Sequence, residues 1–161
     1  MKELRVRLTF TTPLIGHEGQ STSLKDVRYG FSRRNDGTPI IHAYEIRKFF
    51  EEANKRIRQE GFSKGAGAYF CVGFEPGEIP IAVAKPVYTE VRSMRHMTPL
   101  FKHEFPATVE VIPAWSTCDF SILCFRDADV FTARRCLDRG ADTGLFHQWG
   151  SNGQFVWEEI Y

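Results

Sequence analysis

The sequence predicts an α+β fold in which one antiparallel sheet is covered by two helices. Three observations carry this. A strand with strict apolar alternation opens the chain, two later stretches place apolar residues at helical spacing, and an aromatic-rich strand closes it. The 161 residues are enough for one domain, 1–161, with a core of its own.

Each element follows from its residues. Leu4, Val6, Leu8 and Phe10 alternate with Arg5, Arg7 and Thr9, which makes 4–11 a half-buried strand ending near Pro13. Residues 16–39, rich in Gly, Ser, Asp and basic side chains, read as a loop. So long a loop in a compact domain is often functional. Ile46, Phe49, Phe50, Ala53 and Ile57 form one face of a helix over 43–59. Glu51 with Lys55 and Glu52 with Arg56 support its polar side. The block 68–91 holds strand-like runs at 69–74, 79–83 and 87–91, with Pro80 and Pro86 suited to edges.

Residues 105–112 and 118–125 read as a hairpin around 113–117. Asp127 reads as the cap of a second helix over 128–139, with Val130, Ala133 and Leu137 inward and Gly140 as its stop. Residues 155–160 make the last strand. With 67–104 set aside as a β-rich insertion, the order is βαββαβ, a ferredoxin-like arrangement.

Composition narrows the function. The chain is 42% hydrophobic and 25% charged, which is globular. A net charge of +1 gives no global attraction to nucleic acid, so any polyanion site is a local patch. Cys71, Cys118, Cys124 and Cys136 form no C-x-x-C pair and read as free thiols in a reducing, cytoplasmic compartment. No apolar run reaches membrane-spanning length, so no membrane partner is expected. His17, His42, His96, His103 and His147 show no metal-ligand spacing, and nucleotide-binding fingerprints are absent; no metal and no cofactor are expected.

Three places carry chemistry. Gly140, Gly144, Gly150 and Gly153 form a glycine-rich loop before the last strand, where backbone N–H groups and His147 can meet a ligand. The same glycines also serve as a helix stop and a tight strand entry. Arg5 and Arg7 share one strand face, available to phosphates or to neighbouring carboxylates. Arg92, Arg95 and His96, with Lys102 and His103, form a basic run interleaved with Met94, Met97 and Phe101, a pattern that suits single-stranded nucleic acid or a crossover anchored to the core.

The opening 4–16 and the set Leu137, Asp138, Gly140, Gly144, Leu145, Gln148, Trp149, Gly153 and Phe155 together resemble the RAMP proteins of CRISPR systems, in particular small phage- and prophage-encoded members. The resemblance implies a ferredoxin-like fold with a glycine-rich loop between the second helix and the last strand. It implies RNA as partner and a role as a non-catalytic RNA-binding module. One departure is plain: such loops often carry Arg or Lys, and 141–154 carry none. Some such proteins cleave RNA without metal by general acid–base chemistry near the first helix, which makes His42 and Tyr44 the catalytic candidates, together with His17 in the loop, with no catalytic role as the first expectation. A third reading is a phage factor that binds a protein complex of host or virus.

Overall fold

The computed structural model describes residues 1–20, 23, 26–59, 72–98, 101–146 and 152–161; for 59, 95–98 and 101–103 only the backbone is described. The alternation in the first strand decides the core. In β1 (Lys2–Phe10), Leu4, Val6, Leu8 and Phe10 are buried while Glu3 and Arg5 are exposed. β10 (Thr117–Cys124) repeats the pattern with Cys118, Phe120, Ile122 and Cys124 buried. The two strands pair antiparallel, Leu4 opposite Ile122 and Leu8 opposite Cys118. β11 (Phe155–Glu159) flanks the other side of β1, with Phe10 opposite Phe155.

The two helices lie side by side over the apolar face of this sheet. α1 (Ala43–Gln59) buries Ile46, Phe49, Phe50, Ala53 and Ile57. α2 (Asp127–Gly140) buries Ala133, Cys136 and Leu137. Each fully buried Leu, Ile or Phe contributes about 1.5–3 kcal/mol, so this layer is the main source of stability. Gly140 permits the close approach: a Cβ there would collide with the Phe49 ring. The cap differs from expectation. Arg126 holds the N-cap position, the Asp129 carboxylate accepts its backbone N–H at 3.0 Å, and Asp127 pairs with Lys2 at 2.8 Å. Asp129 is the better cap because it is buried and closes back on the turn.

The edge of β10 differs too. The hairpin expectation puts residues 105–112 there. Instead β6 (Val72–Glu75) and β7 (Glu78–Ala82) take that edge, with Ile122 opposite Phe74 and Cys118 opposite Ile81. β5 (Ile40–His42) extends the sheet, which runs β11-β1-β10-β7-β5 with β6 also on β10. Part of the expected insertion therefore belongs to the central sheet.

β9 (Phe101–Ile112) pairs along its length with β8 (Tyr88–Thr98) as a long antiparallel hairpin in a second sheet. That sheet also holds β2 (Leu14–Ile15), β3 (Glu18–Gly19) and β4 (Arg28–Gly30). The stretch 16–39, expected as loop, is thus folded onto β9. The Gly16 N–H donates to the Glu110 carbonyl at 2.8 Å, and Phe31 is buried in the core. Ala107, Val109 and Val111 alternate as buried residues, and Val109 and Val111 pack with Ile15 and Tyr29, which commits β9 to this second sheet.

Candidate functional site

The second sheet and the start of α1 bring together residues far apart in sequence. His17 follows β2, Glu18 opens β3, His42 closes β5, and Tyr44 and Glu45 lie in the first turn of α1. His17, Glu18, Tyr44 and Glu45 border a cavity of about 300 Å³, closed on another side by Leu145 and Phe146 of the glycine-rich loop, while His42 packs beside its wall against Tyr44 and Glu18.

Local rules fix each side chain. Glu45 sits three residues after His42, and its Oε2 accepts the His42 backbone N–H at 3.1 Å, satisfying a donor at the helix entry. Its Oε1 lies 2.5 Å from His17 Nε2. The His17 ring stacks on Phe146 with centroids 4.1 Å apart and presents an edge contact to Phe31. Glu18 accepts a hydrogen bond from the Ser32 hydroxyl, and His42 Nε2 lies 3.1 Å from Ser32 Oγ and 3.6 Å from Glu18 Oε1. The His42 ring stacks nearly parallel on Tyr44, centroids 5.1 Å apart. Desolvation, then the charges of Glu45 and Glu18, raise the Tyr44 phenol above its ordinary pKa. One imidazole, two carboxylates and a phenol thus line one cavity, with the His42 imidazole beside Glu18, a set able to bind a cation or move a proton.

The glycine-rich loop is held by the fold. Leu145 N–H donates to the Gly153 carbonyl and Phe146 N–H to the Asn152 carbonyl, both at 3.1 Å. Gly144 and Gly153 have φ of +86° and +69°, where an L side chain is strained. Gly140 lacks a positive φ; its role is the contact with Phe49. Gly150 and His147 lie outside the described residues.

The arginines expected to meet RNA fall in two places. Arg5 and Arg7 lie on the face of β1 opposite the helices, among Glu3, Glu75, Asp119 and Glu158. Arg7 forms a bidentate pair with Asp119, both contacts 2.8 Å, which holds that carboxyl below the usual carboxylate range. Arg92 lies on β8 in the other sheet, 2.6 Å from Glu90. The side chains of Arg95 and His96 lie outside the described ones; their backbones stand opposite Glu104 and His103. Cys118, Cys124 and Cys136 are free and buried; burial pushes the Cys124 thiol up to about 11 and Cys136 to about 12. Cys71 lies outside the described residues.

The sequence points to His42, Tyr44 and His17 but not to Glu18 and Glu45. The signals that could have found them are the His17-Glu18 pair inside the supposed loop and the His42-x-x-Glu45 spacing at a helix start. No helix among the described residues is long and apolar enough to cross a membrane.

Comparison with known proteins places the fold. No protein-family model matches the sequence, and no curated protein matches it either. Among solved structures, 99% of this chain superposes on a chain in the cryo-EM structure of the type III-B Cmr-beta bound to cognate target RNA, with a TM-score of 0.65 and 19% identity. The likeness is one of fold. It agrees with the α+β class, antiparallel strands with two helices, that the sequence predicts. This chain spans 61% of the length of that one. A chain of a CRISPR RNA-guided surveillance complex aligns over 96% of this chain and 66% of its own, at 9% identity and a TM-score of 0.47, too slight to carry an argument.

Proposed function

We propose that the protein is a non-catalytic RNA-binding module of RAMP type, acting within a larger assembly. The observation that carries this reading is the fold match over nearly the whole chain to a subunit of an RNA-bound complex. We read β1, α1, β6 with β7, β10, α2 and β11 as a ferredoxin-like core. The extended β8–β9 hairpin is then an elaboration of that core. Kinship with small phage-encoded members, and action in the cytoplasm of a bacterial or phage-infected cell, belong to the same reading.

Single-stranded RNA is the partner we assign, with a protein complex of host or phage as the setting. Arg92, Arg95 and His96 on the hairpin are its main contacts. Arg5 and Arg7 are secondary, because carboxylates share their face. Arg7 and Arg92 must exchange a carboxylate for a phosphate, which costs little because exposed pairs are worth about 1 kcal/mol or less. The guanidinium fork suits phosphate oxygens and stacks on bases. We assign His147 and the glycine-rich loop as further RNA contacts.

A second reading, a metal-independent endoribonuclease, is favoured by one observation: His17 lines a cavity with Tyr44, on whose ring His42 stacks. Such cleavage needs one group to take the 2′-hydroxyl proton and another to protonate the leaving oxygen.

The test is purification from the native host with and without nuclease. The module reading expects bound RNA that nuclease removes. Protein partners that persist after nuclease, with no RNA in either sample, would favour the protein-interaction factor instead.

A further inference from the structure

We propose that His17, Glu18 and Glu45 form a binding site for a divalent transition metal of the zinc class. One ligand atom from each lies within 4.8 Å of the other two. Zinc bonds to imidazole nitrogen and carboxylate oxygen run about 2.0–2.2 Å, so small side-chain adjustments bring all three onto one ion. A mixed nitrogen and oxygen donor set favours zinc and its neighbours over magnesium or calcium, which prefer oxygen alone.

The surroundings orient these donors. Glu45 is nine-tenths buried, and the His42 N–H fixes its Oε2 while Oε1 faces His17. Glu18 is held by the Ser32 hydroxyl, and His42 Nε2 stands beside both. Glu45 therefore has one oxygen committed to the His42 N–H and one turned toward His17, while Glu18 is positioned by Ser32 and His42; such outer partners orient metal ligands. Among the described residues, Glu45 and Glu18 pair with His17 and His42 rather than with a lysine or arginine, and a dication would supply a permanent countercharge. His17 Nδ1 is buried and finds no hydrogen-bond partner among the described residues, while Nε2 faces Glu45 Oε1.

The adjoining cavity leaves a fourth coordination position open, with Lys48 and Tyr44 on its wall. The ion would tie the β2–β3 segment to the first turn of α1. The site stands apart from the RNA reading, because none of its three ligands is among the RNA contacts assigned above.

The experiment uses the full chain, treated with chelator and then titrated with Co²⁺ alone, followed by visible absorption and displaced by Zn²⁺. The expected result is a saturable 1:1 Co²⁺ spectrum that Zn²⁺ abolishes, with a rise in melting temperature on adding Zn²⁺. His17→Gln and Glu18→Gln should each lose the spectrum, and Ser32→Ala should bind about tenfold more weakly. Circular dichroism establishes that each variant is folded. Glu45→Gln also disturbs the helix entry, so the His17 and Glu18 variants are the deciding ones. No saturable spectrum in the folded wild type overturns the proposal, as does an unchanged spectrum in both His17→Gln and Glu18→Gln.

Discussion

The Asn152 carboxamide bonds both backbone groups of Ile15: its Oδ1 accepts the Ile15 N–H at 2.8 Å, and its Nδ2 donates to the Ile15 carbonyl at 2.9 Å. A side chain 137 positions away thereby completes the hydrogen bonding of β2 and fixes the glycine-rich loop beside the His17 cavity. Asn152 is buried, so no water replaces it readily. Asn152→Ala leaves two buried backbone groups unpaired and should destabilise the protein by roughly 2–4 kcal/mol in denaturant titration.

The left-handed residue Gly144 gives a second prediction. A Cβ there meets the Asn152 carbonyl as well as an unfavourable φ of +86°. Gly144→Val should cost on the order of 2 kcal/mol or more, measured the same way.

The contact between Gly140 and Phe49 predicts coupling. Gly140→Ala should destabilise by overpacking, about 1–3 kcal/mol. Phe49→Leu trims the ring that the new methyl strikes. The double mutant should therefore be more stable than the sum of the two single effects implies, and a double-mutant cycle measures the difference.

Acid should weaken the open face of the sheet. The Asp119 carboxyl lies below its ordinary pKa because Arg7 hydrogen-bonds it. A depressed folded-state pKa contributes stability above the unfolded value of about 3.9 and loses it as pH falls through the folded value. The pair is partly exposed, so its whole contribution is about 1 kcal/mol or less. Asp119→Asn should lower stability at neutral pH and flatten its decline between about pH 5 and pH 2, followed by denaturant midpoint.

The sequence reveals elements whose own periodicity decides their burial. β1, α1, α2 and β11 fall where alternation and helical spacing put them, because each buries one face against the same core. Alternation says which side of a strand is apolar and not which neighbour it pairs with. That is why the pattern alone matches 105–112 with 118–125, although β9 pairs with β8 and β6 with β7 line β10. The strands within 16–39 are two or three residues long and are held from outside, through Gly16 and Phe31 against Glu110. No local pattern announces them. The His17–Glu45 contact inherits that difficulty: it spans 28 positions and exists only once this segment is laid over α1.

Binding of single-stranded RNA is the central claim, and a fluorescence-anisotropy titration across a salt series tests it most directly. The wild type should bind a mixed-sequence RNA panel at low salt and lose affinity steadily as salt rises, because each phosphate contact releases counterions. Arg92→Ala with Arg95→Ala should weaken binding and flatten that salt dependence, while His42→Ala should leave binding intact and no cleavage should occur. No detectable binding across the panel would contradict the account in favour of a protein-interaction factor, and cleavage abolished by His42→Ala would contradict it in favour of the nuclease.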